Sequence, residues 1–255
     1  MVQTAYALNP DAALAGMQYD VGPNYLSTMN NPAVVLPFGQ VVEKITGDED
    51  GVKLPDNNSA AAFWGVAHKD PSETEDSYPI KSAVAVLRKG RIWMPSEEAI
   101  TPDDAVFVRW NGIAQVQTLT LDIDLVSLNV MAVTVDGNVL TETYAVNHDT
   151  TMTAMAAQIQ AQPSVVTATA AARVITVTSV IGVSVAVTVF TDAGCTLGAT
   201  QPVITVAETT GGVAYDQRGV IRTDTDSGTA VANTGLRVIK GVSAAGLCVV
   251  EVNLP

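Results

Sequence analysis

MAVTVDGNVLTETYAV, residues 131–146, predicts two β-strands joined by a tight turn. Apolar residues alternate with polar ones on both sides of Asp136-Gly137-Asn138. Asp-Gly between alternating runs is a strong signal for a hairpin, because both turn positions need a positive φ. This stretch therefore predicts a β-sheet in the middle of the chain, and the neighbouring segments are interpreted as further parts of the same domain.

A helix is predicted directly after this hairpin, in DTTMTAMAAQIQAQ, residues 149–162. Met152, Met155, Ala156 and Ile159 form one apolar stripe, Asp149 or Thr150 offers an N-cap oxygen, and Pro163 ends the pattern. Further Val/Thr/Ala runs follow up to about residue 208. Residues 115–208 therefore predict an inserted α+β domain of order β-β-β-α-β-β-β-β, in which one helix covers one antiparallel sheet.

The flanking segments predict a second domain, mainly β. Residues 1–40 are interrupted by Gly and Pro too often for a long helix, and they indicate an extended arm that becomes ordered on its own domain or on a neighbouring subunit. Short strands follow, with turns predicted at residues 88–91 and 101–104. Residues 1–114 and 209–255 together predict a small β-sandwich or barrel, with the arm at its N-terminal end.

Composition argues against several classes of function. The chain has 255 residues, 13 Lys plus Arg, 26 Asp plus Glu and a formal net charge of −13. Nucleic acid is discounted as a partner, because phosphate contacts would form against that field. No apolar run of about 20 residues occurs, so no membrane span is expected. Cys195 and Cys248 are expected to be reduced thiols, although their disulfide state stays open.

Candidate chemical groups are sparse, and neither an enzyme nor a cofactor is predicted. The two histidines, His68 and His148, are interpreted as surface or capping residues. Asp224 and Asp226 leave a calcium site open as an alternative to solvated acids. No phosphate loop, HExxH or G-x-S-x-G motif occurs. We therefore assign no catalytic, cofactor-binding or metal residues.

Several segments of the flanks resemble the structural cement, or head decoration, proteins of tailed bacteriophages. The resemblance rests on the order and spacing of weak motifs in FWGVAHKD (63–70), AVAVLRKGRIWM (83–94), ITPDDAVFVRWNG (100–112) and AGLCVVEV (245–252). The Ala-Gly-Met and Pro-Phe-Gly of the arm also fit. The insertion departs from the family pattern, and it resembles β-β-α-β-β units of phage tail and virion proteins.

This resemblance implies a virion structural protein on the outer surface of the capsid. The implied partners are the major capsid protein and further copies of the chain in a homotrimer, and the implied role is to stabilise contacts between capsomers, with the insertion facing outward. The alternatives are a virion adhesin whose insertion binds a host-surface glycan, and another virion structural protein of the tail or baseplate. A virion hydrolase is disfavoured, because no nucleophile and base constellation is present. The predicted interface consists of the apolar arm residues Tyr19, Val21, Tyr25, Leu26, Val34, Val35, Leu36 and Phe38.

Overall fold

The structure is a computed structural model that describes residues 13–20, 25–30, 34–69, 75–182, 190–198 and 200–254. The fold is mainly β, as predicted, with 47% of residues in strands and 10% in helices. The chain divides into two compact units. Unit 1 is formed by Met1–Asn111 and Asp216–Pro255, and unit 2 by Gly112–Tyr215. These limits fall a few residues outside the 115–208 expected for the insertion.

The strands of the first flank are short except for β7. They are β1 (Tyr25–Asn30), β2 (Leu36–Pro37), β3 (Val41–Lys44), β4 (Val52–Lys53), β5 (Phe63–Ala67), β6 (Ser77–Tyr78), β7 (Ala83–Ser96) and β8 (Phe107–Arg109), with a 3-10 turn at Ala60–Ala62.

Unit 2 contains seven strands and one α-helix in its described residues. They are β9 (Val116–Leu121), β10 (Val130–Val135), β11 (Asn138–Thr143), α1 (His148–Gln160), β12 (Val165–Ala171), β13 (Val174–Ser179), β14 (Phe190–Thr196) and β15 (Ile204–Thr210). The second flank then returns to unit 1 with β16 (Ile221–Arg222), β17 (Ala230–Ala232), β18 (Leu236–Lys240) and β19 (Gly246–Asn253), and with 3-10 turns at Tyr215–Gln217 and Asp226–Gly228.

The ten-stranded sheet of unit 1 is organised by β7. Its main path is β17-β8-β16-β7-β5-β3-β4, and both β1 and β19 also pair with β7. The first half of β7 lies against β1 and β5, and its second half lies against β19. Strands from both flanks therefore meet on one 14-residue strand.

The turn predicted at residues 88–91 is wrong, because β7 continues through it. Arg88, Lys89 and Arg91 are polar, which suggested a loop, but each half of the strand has its own partner strands. Gly90 lies between the halves with a φ of 139°, a conformation that favours glycine. Leu87 and Ile92 belong to the same core cluster although strict alternation would place them on opposite faces. The side-chain alternation therefore reverses near Gly90.

Two hydrophobic cores occupy opposite faces of this sheet. In the first half of β7, Leu87 contributes to one core and Val84 and Val86 to the other. The first core consists of Val41, Phe63, Val66, Leu87, Ile92, Met94, Ile100, Val106, Val108, Ile221, Leu236, Val238, Cys248, Val250, Val252 and Leu254.

Unit 2 has the predicted order of elements but two antiparallel sheets instead of one. The hairpin β10–β11 pairs with β14, and β9 lies between β13 and β15 in the order β12-β13-β9-β15. The predicted turn is confirmed, with a φ of 50° at Asp136 and 78° at Gly137. Helix α1 packs against β11 of one sheet and β12 of the other, so its apolar stripe holds the two sheets together.

The N-cap of α1 is Asn147, and not Asp149 or Thr150 as predicted. Asn147 is extended, and its side-chain oxygen accepts the backbone N–H of Thr150 at 2.8 Å. Asp149 lies inside the first turn, where its charge complements the helix dipole. The buried face matches the predicted stripe, because Met152, Met155, Ala156 and Ile159 are all buried.

A charge placed on this stripe is expected to unfold unit 2. Met155 is fully buried, so Met155→Asp should lower the free energy of unfolding by about 2–5 kcal/mol. Ala157 is exposed on the same helix, and Ala157→Asp is the matched control. Calorimetry of both variants measures the difference. Equal and small losses would show that the stripe is not the packing face.

Candidate functional site

The predicted interface residues separate into exposed and buried groups. Among the described residues, Tyr19 is 43% exposed, Tyr25 55%, Leu26 42% and Val35 49%. Val34 is half-buried and packs against the second core of unit 1. Leu36 and Phe38 are 0% and 2% exposed, and Val21 lies outside the described residues.

The side chains of Leu36 and Phe38 are core residues of unit 1. The ring of Phe38 meets Tyr78 edge to face at 4.9 Å, and Lys69 Nζ lies 4.5 Å from its centroid. Leu36 pairs with Tyr78 across β2 and β6. Both residues therefore stabilise the fold of this chain. Only the exposed arm residues, Tyr19, Tyr25, Leu26 and Val35, remain candidates for the predicted interface.

The described part of the arm lies on its own domain, one of the two possibilities left open by the sequence. Gly16 N–H donates to Trp93 O at 2.8 Å, and Trp93 N–H donates to Met17 O at 2.9 Å. Tyr19 N–H donates to Arg91 O at 2.9 Å. A side chain at Gly16 would lie 2.8 Å from Phe38 Cβ, so only glycine allows this approach. The backbone of residues 16–19 is thus held by β7 of the same chain, without a partner.

A polar site distinct from the arm surrounds the buried guanidinium of Arg109, which is only 1% exposed. Two carboxylates, from Glu97 and Asp226, bind it, and its Nη1 donates to Thr229 Oγ1 at 2.9 Å. The contact with Glu97 uses two parallel N–H groups, the geometry that guanidinium provides for a carboxylate. Burial alone would lower the pKa of Arg109, but its acidic partners raise the pKa above its ordinary value.

Arg222 extends this cluster to a second guanidinium. Its Nη1 donates to Glu97 Oε2 at 2.7 Å and to Asp226 Oδ2 at 3.0 Å, and its Nε donates to Asp224 Oδ1 at 2.9 Å. Thr223 N–H donates to Glu98 at 2.8 Å. The pKa of Asp224 is lowered, first by the backbone N–H of Asp226 and then by Arg222. Sequence reasoning missed this site, since its members are distant in the chain.

The possible calcium ligands Asp224 and Asp226 are therefore occupied by arginines. The described residues contain no group of three or more His, Cys, Asp or Glu side chains arranged to hold a metal ion. His148 is the first residue of α1 and is largely buried, not a surface residue, and its Nδ1 accepts Leu125 N–H at 2.9 Å. His68 follows β5 and is half-buried. Cys195 and Cys248 are free thiols in the structure.

Loss of the Arg109 side chain is expected to destabilise unit 1. Arg109→Met leaves Glu97 and Asp226 partly buried without their main partner, which should cost about 3–5 kcal/mol. Urea unfolding followed by tryptophan fluorescence reports on unit 1, because all three tryptophans lie there. Lys81→Met, at an exposed position, is the control. A loss under about 1 kcal/mol would contradict the expectation.

Glu43 is a buried carboxylate beside a second acid in unit 1. Its side chain is 1% exposed, its Oε1 lies 3.1 Å from Lys53 Nζ, and its Oε2 accepts Asn57 Nδ2–H at 3.0 Å. Burial raises the pKa of Glu43 to about 7, and Asp56 adds to this rise, which Lys53 only partly opposes. Glu43 and Lys53 are direct cross-strand partners on β3 and β4.

This pKa predicts a stability that falls with pH. The folded state holds the Glu43 proton more tightly than the unfolded state, so the stabilisation is complete below about pH 4.5 and is lost as pH rises through about 7. Glu43→Gln should reduce the loss of unfolding free energy between pH 5 and 8 by about 2–3 kcal/mol. Urea titrations at both pH values measure it. An unchanged pH dependence would contradict the prediction, as would an equal effect of Glu49→Gln at an exposed position.

Comparison with known proteins places this fold in a phage family. The family model described as "Structural cement protein (E217 gp24/Pam3 gp6)" matches residues 2–170. The chain belongs to this family of phage structural cement proteins. The matched range continues into unit 2 as far as β12, although the insertion was expected to depart from the family pattern. It does not include residues 245–252, on which the resemblance also rested.

A solved structure gives a weaker similarity to this cement-family chain. A chain of "The capsid of Myoviridae Phage XM1" is 11% identical, with a TM-score of 0.47, and the alignment covers 99% of this chain and 97% of that chain. No curated protein matches the chain. No helix among the described residues is long and apolar enough to span a membrane. Family membership establishes a capsid-associated structural role in the virion.

Proposed function

We propose that this chain binds the outer surface of the assembled phage head as a homotrimer and stabilises contacts between capsomers. The major capsid protein is the proposed partner, and unit 2 is proposed to face away from the shell. Membership of the cement family supports a structural role at the capsid. The exposed apolar side chains of the arm are the observation that supports the arm as the surface in contact with the head.

The described part of the arm suits this role because hydrogen bonds to the rest of unit 1 hold its backbone while several apolar side chains remain exposed. Leu26 lies on β1, which pairs with β7 with one register shift between Tyr25 and Leu26, and Val35 immediately precedes β2. Binding through a hydrogen-bonded arm avoids much of the entropy cost of ordering a free segment. Each Å² of apolar surface removed from water contributes about 25 cal/mol. A fixed, partly apolar arm therefore favours a stable contact with a shell.

A glycan-binding adhesin is less well supported by unit 2. Aromatic platforms for sugar rings need exposed aromatic side chains. Tyr144 packs against the core of unit 2, and Phe190 is only 6% exposed. The third aromatic residue of this unit, Tyr215, is half-buried at its C-terminal limit. The charge of unit 2 is also strongly acidic, with Arg173 as its single basic residue.

Decoration of purified heads tests the proposed function. Heads lacking the protein are mixed with wild-type chain or with Leu26→Asp/Val35→Asp, and occupancy is measured by electron cryomicroscopy. The wild type should appear on the outside of the head, and the double variant should need an at least about tenfold higher concentration for equal occupancy. Val139→Asp/Val146→Asp is the matched control, since both valines are exposed in unit 2. Density inside the shell, or full decoration by the arm variant, would contradict the proposal.

A further inference from the structure

The face of the unit 1 sheet that carries the second core also carries a group of cationic and aromatic side chains. Leu87, Ile92 and Val250 point to the first core, so their strand neighbours Arg88 and Arg91 point to the opposite face. The reversal near Gly90 is what brings these two arginines to the same side of β7. We call this surface, formed by Tyr19, Tyr25, Lys44, Trp64, Arg88, Arg91, Trp93 and Lys240, the cation–aromatic face.

The first part of this face crosses four neighbouring strands. Arg88 Cζ of β7 lies 3.6 Å from the ring centroid of Trp64 on β5 and 5.7 Å from that of Tyr25 on β1. Lys44 Nζ of β3 lies 4.8 Å from the same tryptophan ring. Cations over aromatic rings gain free energy without losing their charge, so their N–H groups remain able to bind an anion. The stack therefore orients positive charge at the surface.

The second part of the face surrounds Trp93. Its ring meets Tyr19 edge to face at 5.7 Å, and Lys240 Nζ lies 5.6 Å from its centroid. Arg91 binds Asp20 at 3.1 Å and Glu251 at 3.7 Å. Asp20 and Glu251 are thus paired with Arg91, whereas Lys240 contacts the ring of Trp93.

Three cations of the face lack a carboxylate partner in the part of the chain that the structure describes. Among the described residues, Lys44, Arg88 and Lys240 form no ion pair within 4.0 Å, although Asp48 and Glu49 line the same hollow as Lys44. Within the same part of the chain, Arg88 Nε is buried without a hydrogen-bond acceptor. In contrast, Arg109, Arg173 and Arg222 all bind carboxylates. The face is therefore a local positive region in a chain whose net charge is −13.

We propose that the cation–aromatic face binds an acidic surface of a second copy of this chain. The inference rests on the proposed homotrimer and names the contact that builds it. Charge complementarity selects a second copy, because the chain carries 26 acidic against 13 basic residues. In unit 2 the one basic side chain, Arg173, is itself bound to Asp124 at 2.6 Å. A contact between two different surfaces is heterologous, and heterologous contacts form closed rings such as trimers when the rotation between copies closes.

Sedimentation velocity of the purified full chain tests this contact. Wild-type protein should sediment as a trimer at micromolar concentration and dissociate as salt is raised from about 0.05 to 0.5 M, because salt screens exposed charge pairs. Arg88→Glu and Lys240→Glu should each raise the dissociation constant at least about tenfold. Lys240 is exposed, so its variant remains informative if loss of the Arg88 stack disturbs folding. Lys81→Glu makes the same charge change at an exposed position and should sediment like the wild type.

The outcomes separate this inference from the proposed function. A wild type that stays monomeric in solution yet decorates heads overturns the second-copy contact and leaves head binding intact. Face variants that stay trimeric but no longer decorate heads also overturn it, because they place the face against the shell. An equal loss of association in Lys81→Glu would show a general charge effect and reject the site. A salt-sensitive trimer that never binds heads would support the contact and reject the proposed function.

Discussion

The buried guanidinium of Arg109 joins the two separated segments of unit 1. Its side chain binds Glu97 of the first flank and Asp226 of the second. Its backbone makes the same connection, since Arg109 N–H donates to Val220 O at 3.0 Å and Arg109 O accepts Gly219 N–H at 2.7 Å. Removing a charge from water is costly unless every donor is satisfied, so this residue tolerates little displacement. The segments before and after unit 2 are thereby held in one register.

Unit 2 closes its own ends in a comparable way, but with backbone groups alone. Ile113 and Val213 exchange two hydrogen bonds of 2.9 Å at the entry and exit of the unit. Gly112 packs so closely that a side chain there would lie 2.6 Å from Val213 O. An inserted unit needs its first and last residues close together, and here a two-residue bridge provides that closeness. Each unit therefore has its own closure, one ionic and one made by the main chain.

The long strand β7 gives unit 1 both its stability and its unusual surface. One strand supplies residues to two cores, so its hydrophobic positions cannot be exchanged without affecting both. The reversal near Gly90 keeps Leu87 and Ile92 in one core and sends Arg88 and Arg91 to the other side. Apolar residues of the arm are divided by the same packing. Leu36 and Phe38 fill a core, whereas Tyr19 stays exposed beside Trp93 and Tyr25 beside Arg88.

Local patterns in the sequence determined the hairpin at Asp136-Gly137, the stripe of α1 and the order of elements in unit 2. Turn chemistry and helical periodicity act within a few residues, so no distant partner is needed to recognise them. Only the tertiary structure decided that the polar residues 88–91 continue a strand, because β1 and β19 supply the missing pairing from far along the chain. The same holds for the Arg109 cluster, in which hydrogen bonds join residues up to 125 positions apart in the chain. The burial of the arm residues and the contacts between cations and tryptophans likewise depend on strands that folding brings together. Composition does not determine which strands pair.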